Sequence, residues 1–243
     1  MSTASVPRTP ALRDARPPAV TIRGLARRWG PRWVLAGVDL DVPGGSACML
    51  TGANGSGKTT LLRCIATALR PHAGTLTVLD HAAWADRERV RPKIGLLSHE
   101  LRVYDDLSAR DNLAVWANVG GLTVDVPAWL ERVRLPDRPD PVRTYSAGMR
   151  RRVALALVWM KQPELWLLDE PFAALDPEGR RLVGDLVTAE RARGATVIIA
   201  THHPATTAPS CDVAAHLEGG RVVWTGHPSD APAIGGPDLE DGT

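Results

Sequence analysis

The sequence predicts an α/β fold with a parallel sheet at its centre and a helical insertion. Three observations carry that prediction. The first is Gly52-Ala53-Asn54-Gly55-Ser56-Gly57-Lys58-Thr59, a complete G-x-x-x-x-G-K-[ST] loop. It lies between the apolar run Ala47-Cys48-Met49-Leu50 and the helix-spaced Leu61-Leu62-Arg63-Cys64-Ile65. The second is a pair of short unbroken apolar runs, Leu165-Trp166-Leu167-Leu168 and Val197-Ile198-Ile199-Ala200, which fit strands buried on both faces. The third is a mostly helical stretch at about residues 99–157.

The elements follow in order. Residues 1–19 are rich in Pro and Arg and lack the apolar stretch of a secretory signal, so they read as a disordered lead-in. Val20-Thr21-Ile22 and Val38-Asp39-Leu40-Asp41-Val42 read as antiparallel strands ahead of the phosphate loop. Residues 76–79 and 94–97 read as further strands. Residues 111–118 and 127–133 read as helices, and Arg138-Pro139-Asp140-Pro141 breaks that section. A strong helix is expected over 150–160, and Gly219-Gly220 marks a hairpin turn. Residues 227–243 read as a flexible tail. The organisation is therefore one unit over 20–226, with a helical subdomain at about 99–157 and a tail on each side. No internal repeat is visible, so a single nucleotide-binding unit is expected.

A chain of 243 residues suits one domain with a subdomain, or two small ones. Its 29 Lys+Arg against 27 Asp+Glu leave a net charge of +2, which points to neither nucleic acid nor anionic membrane as an obligatory partner. Cys48, Cys64 and Cys211 have no metal-ligand spacing and suit reduced cytosolic thiols. No uncharged apolar run approaches the ~20 residues that span a bilayer.

The glycines of the loop let successive backbone N–H groups turn inward onto a β-phosphate at a helix N-terminus. Lys58 adds a cation for the β- and γ-phosphates, and the Thr59 hydroxyl is placed for Mg²⁺. Gly52 through Gly57, Lys58, Thr59 and Thr60 are thus the candidate contacts to ATP. Asp169, ending an apolar strand, can order Mg²⁺ through water, and Glu170 can polarise the attacking water.

Tyr145-Ser146-Ala147-Gly148-Met149, taken alone, reads as a turn capping the next helix through Ser146. Placed upstream of Asp169, it resembles the ABC signature sequence, usually Leu-Ser-Gly-Gly-Gln. Ala173-Ala174-Leu175-Asp176 resembles the D-loop of that family, and His202 its switch histidine. Trp29, followed by Gly30 and Val34-Leu35, resembles the aromatic that stacks on adenine, although any one of 8 Trp can instead be core. The chain resembles an ABC-type ATP-binding domain over about residues 20–226.

The resemblance implies a P-loop NTPase fold of the ABC type, with an antiparallel β subdomain and a helical insertion. It implies Mg²⁺-dependent ATP hydrolysis at the cytoplasmic face of the cell membrane. The partners it implies are a transmembrane permease subunit and a second copy of the chain or a paralogous ATP-binding subunit. Ser146 and Gly148 of one copy then contact the γ-phosphate held by Lys58 of the other. Two departures stand out. Ala147 and Met149 replace Gly and Gln, while Ser146 and Gly148 are kept. His99 stands where the family has Gln: either its imidazole accepts from a metal-bound water, or it is a spacer. The region from His99 to about Asn118 is expected to meet the permease, with Leu101, Val103 and Tyr104 of residues 99–107 exposed to it; the alternative is that these three pack inside the helical insertion. Arg150-Arg151-Arg152 reads as an exposed helix face rather than a nucleic-acid patch.

Within the family, residues 145–203 look most like the ATP-binding subunit of the haem exporter of cytochrome c biogenesis, and the compact length agrees. A multidrug or other small-molecule exporter is the competing expectation. A soluble non-transport ABC ATPase is a further one. A small-molecule kinase would leave the Ser146 motif without a purpose.

Overall fold

The computed structural model describes residues 17–234. In chain order the elements are β1 (Pro18–Trp29), β2 (Arg32–Pro43), β3 (Ala47–Thr51), α1 (Lys58–Ile65), β4 (Ala73–Val78), β5 (His81–Ala82), α2 (Arg87–Val90) and β6 (Ile94–Leu97). Then come α3 (Ala109–Val119), α4 (Val126–Arg132), α5 (Ala147–Trp159), β7 (Leu165–Asp169), α6 (Pro177–Ala192), β8 (Thr196–Ala200), α7 (Pro204–Thr207), β9 (Val213–Glu218) and β10 (Arg221–Gly226). The proposed lead-in therefore ends before Pro18, since Pro18 and Ala19 already pair in β1; its first sixteen residues lie outside the described ones. Of the expected tail, residues 227–234 are described and include a 3₁₀ turn at Pro228–Asp230.

Two sheets organise the chain. One is antiparallel, in the order β2-β1-β4-β5. The other has the order β10-β9-β3-β8-β7-β6 and is parallel except for the β9–β10 hairpin at its edge. Every residue of β3, β7 and β8 is buried, which explains their unbroken apolar sequence: both faces of the sheet are covered. The period of two sorts their side chains. Leu165, Leu167 and Ile198 face α1 and the antiparallel sheet, whereas Trp166, Leu168, Val197 and Ile199 face α5 and α6. A third cluster, built on Leu113, Leu130, Val142, Val153 and Leu157, holds the helical insertion together.

Helix starts are set by side-chain caps. Ser108 accepts from Asp111 N–H (3.1 Å), Asp125 from Ala128 N–H (3.2 Å), Ser146 from Met149 N–H (3.2 Å) and Asp176 from Gly179 N–H (2.8 Å). Among the described residues no helix is long and apolar enough to cross a membrane.

Candidate nucleotide site

The phosphate loop joins the C-terminal end of β3 to α1, at the edge of the parallel sheet where open α/β sheets place ligands. Its curvature needs glycine at two points. Gly52 has φ +145° and a Cβ there would lie 2.2 Å from Leu217 O; Gly57 has φ +111° and its Cβ would lie 2.8 Å from Val34 O. The loop is thus pinned between β2 and β9. Lys58 Nζ lies over the loop and donates to the carbonyls of Gly52 (2.7 Å) and Ala53 (3.0 Å). Burial pulls the Lys58 ammonium below its ordinary pKa, while Glu170 and Asp169 oppose that shift. Ser56 Oγ is buried with no hydrogen-bond partner, so a polar group on a ligand can satisfy it.

Asp169 ends β7 beside the loop. Thr59 Oγ1 donates to Asp169 Oδ2 at 2.8 Å. Desolvation raises the Asp169 carboxyl above its ordinary value; Thr59 works against this and Glu170 adds to it. The next residue, Glu170, has φ +51°, in the left-handed region that non-glycine residues rarely adopt. That turn swings its carboxylate onto His202, with Glu170 Oε1 2.6 Å from His202 Nδ1. Thr201 Oγ1 donates to the other oxygen at 3.4 Å. His202 reaches Glu170 because β8 ends beside β7, with Asp169 registered against Ala200.

Arg151 supports this strand end from below. Arg151 is 6% exposed, and its guanidinium donates to the carbonyls of Asp169 (3.3 Å) and Glu170 (2.5 Å). Arg152 is equally buried and pairs with Asp176 at 2.6 Å. The expectation of an exposed face over residues 150–152 is therefore wrong for Arg151 and Arg152. Long side chains on a buried helix face can carry charge to backbone carbonyls and to a cap. The spacing held a signal: Arg151, Leu155 and Val158 share one helix face. Arg151→Ala removes the charged donor from both carbonyls, although Glu170 O keeps Ala173 N–H at 3.1 Å, so stability is expected to fall by about 2 kcal/mol. Thermal unfolding should show a Tm lowered by about 4–8 °C; an unchanged Tm would show that the carbonyls do not depend on Arg151.

The other candidates are dispersed. Trp29 and Trp33 flank the β1–β2 turn, each about half exposed. Trp33 borders a cavity of about 720 Å³ together with Ala53, Asn54, Gly55 and Ser56. Trp29 borders a different cavity, of about 550 Å³, with Arg63, Leu69, Leu96 and Trp116, and carries the Arg27 guanidinium 4.7 Å above its ring. His99 is exposed just past β6. Ser146 lies exposed at the start of α5, and no hydrogen bond connects it to the phosphate loop. Gly148 sits against the Ala174 carbonyl, where a Cβ would come within 2.9 Å. Leu101 and Val103 pack partly against the core and leave Tyr104 as the exposed large side chain of that segment.

A model of the ABC transporter family matches residues 35–173. The chain belongs to the ABC transporter family. The daunorubicin resistance ATP-binding protein of Streptomyces coeruleorubidus is 36% identical over 92% of this chain and 72% of its own length. The Nod factor export ATP-binding protein I of Ralstonia nicotianae is 31% identical over 88% of this chain and 68% of its own. The cytochrome c biogenesis ATP-binding export protein of Rhodopseudomonas palustris is 39% identical over 75% of this chain and 90% of its own. A solved structure described as the ATP-binding subunit of an ABC transporter superposes with a TM-score of 0.79 and 26% identity, covering 87% of this chain and 91% of that one. The ABC-type P-loop fold expected from the sequence is the fold observed.

Mg²⁺ takes hard oxygen donors, and two such groups, the Thr59 hydroxyl and the Asp169 carboxylate, stand in contact beside the phosphate loop. No group of three or more His, Cys, Asp or Glu gathers to hold a metal among the described residues. That sparse donor set fits an ion whose remaining ligands are phosphate oxygens and water.

Proposed function

We propose that the chain is the ATP-hydrolysing subunit of an exporter. It acts as a pair of ATP-binding subunits on the cytoplasmic face of a membrane-embedded permease. The observation that carries this reading is the 2.6 Å contact between Glu170 and His202, adjoining the Thr59–Asp169 contact at the phosphate loop. Residues 52–60 hold the phosphates through backbone N–H groups and the Lys58 ammonium. Glu170 takes the proton of the water that attacks the γ-phosphorus, the bond to the bridging oxygen breaks, and ADP leaves. His202 keeps the Glu170 carboxylate oriented. Thr59 and Asp169 would hold Mg²⁺, which would supply charge neutralisation on the phosphate oxygens. Ser146 and Gly148 complete the site of the other copy.

Three relatives are named for export or resistance, and their names cover a drug, Nod factor and cytochrome c biogenesis. Among these we place haem export for cytochrome c biogenesis first. What supports this is that the cytochrome c biogenesis relative has the highest identity of the three, together with the haem-exporter-like motifs read from the sequence over residues 145–203.

The permease contact falls in the groove between the core and the helical insertion. Leu69, Leu96, Trp116 and Leu157 line its apolar floor, and Leu101 joins them from the 99–107 segment. Arg63, Arg91, Arg102 and Lys161 against Glu100 give it a basic rim. An apolar centre with a polar rim suits a small protein interface. Co-expression with its cognate polytopic membrane subunit is expected to raise ATPase activity above that of the chain alone. In that complex His99→Gln should preserve or strengthen the stimulation and His99→Ala should weaken it, with ATP binding near normal in both. A crosslinking map in which residues 99–107 never approach the membrane subunit would reject the docking.

A further inference from the structure

The loop after His99 is tied to the segment that carries Ser146. Val142 N–H donates to Leu107 O at 2.8 Å and Arg143 N–H to Asp105 O at 2.9 Å. Behind the loop, Asn112 of α3 is fully buried. Its side-chain oxygen accepts from Tyr104 N–H at 2.7 Å, and its amide donates to the carbonyls of Tyr104 (3.0 Å) and Ser108 (2.9 Å). A buried amide satisfied in this way holds one loop conformation. In front, Asp105 pairs with Arg150 at 2.5 Å, and Asp106 pairs with Arg143. Arg150 lies one turn along α5 from Ser146, and its own N–H donates to Ser146 O at 2.9 Å. Residues 104–107 and the first turn of α5 therefore have a shared frame.

We propose that Asp105 is a positioning residue for Ser146. The Arg150 guanidinium, held by Asp105, sets the rotation of the first turn of α5, and with it the direction in which the Ser146 hydroxyl and the helix N-terminus face the phosphate on the other copy. This rests on the reading that Ser146 acts across the dimer. The pair is about half exposed on the Asp105 side, so it contributes little to folding. Its effect is on geometry. The proposal also concerns the chain without its permease, because the contact lies wholly within one subunit.

The test is charge reversal and exchange in the full chain, assayed without membrane partner. Asp105→Arg is expected to lower kcat for ATP by about three- to ten-fold, with KM changed less than about two-fold. Arg150→Asp should do the same. The double variant Asp105→Arg/Arg150→Asp should return kcat to within about two-fold of the parent. Tm is expected to stay level throughout, which separates positioning from a folding defect. Unchanged kcat in the single variants, or reduced singles with no recovery in the exchange, would overturn the proposal. Ser146→Arg is the control for the underlying reading. If it leaves turnover intact, the trans role of Ser146 fails, and with it any role for Asp105 through Ser146. If it abolishes turnover while charge reversal does nothing, only the Asp105 inference fails.

Discussion

Glu170→Gln is expected to bind ATP as the parent does and to lose turnover by roughly 10²-fold or more. The carboxylate is the group placed to accept a proton: it follows Asp169 at the strand end and is held by His202 and Thr201. An amide keeps the size and the reach to His202 but is a far weaker base, so the change removes the proton acceptor with little else. The proposed phosphate contacts of this chain, residues 52–60, lie on a different loop, so nucleotide affinity should be spared. Phosphate release on enzyme free of contaminating ATPase, together with equilibrium nucleotide binding, checks both halves. Parental turnover in that variant would remove Glu170 from the reaction.

The second large effect is complementation between two inactive chains. Lys58→Ala should itself weaken nucleotide binding, because Lys58 is the buried cation of the loop; unchanged ATP affinity would sink the phosphate-loop assignment. Ser146→Arg should instead leave its own loop intact and spoil the site of its neighbour. Each variant alone places a defect in both sites of a two-fold dimer. A mixture places both defects in one site of the heterodimer and leaves the other whole. Random assortment and independent sites then give roughly a quarter of parental activity. Heterodimers shown to form, yet with no recovered ATPase activity, would exclude the arrangement across the dimer.

Much of the fold is legible because burial on both faces leaves a plain trace. Unbroken apolar runs at β7 and β8, a glycine-lysine-threonine loop between strand and helix, and paired glycines before β10 each have one structural outcome. Other parts are less open to reading. The sequence reading leaves Pro177–Ala192 unassigned, although the Asp176 cap and Pro177 at the first turn were an available start signal. Arg151 and Arg152 were misplaced because composition says nothing of where a long side chain ends. The position of Trp33 beside the phosphate loop was hidden for another reason. Register shifts in the β1–β2 pairing, one of them between Arg27 and Arg28, decide which indole faces which cavity. The candidate residues on the sheet ends were named from the sequence, and the fold sets Thr59 against Asp169 and Glu170 against His202; the arginine beneath them and the second indole needed the fold.

The left-handed backbone at Glu170 has a cost for the chain as a molecule that must persist. A non-glycine residue there is disfavoured by about 1–2 kcal/mol relative to its ordinary conformation. A library screened for heat resistance alone should therefore enrich glycine or asparagine at this position, and those survivors would be robust and inert. Durability and work are in conflict at one peptide unit, so thermostabilising this domain for use requires holding position 170 constant and seeking gains elsewhere.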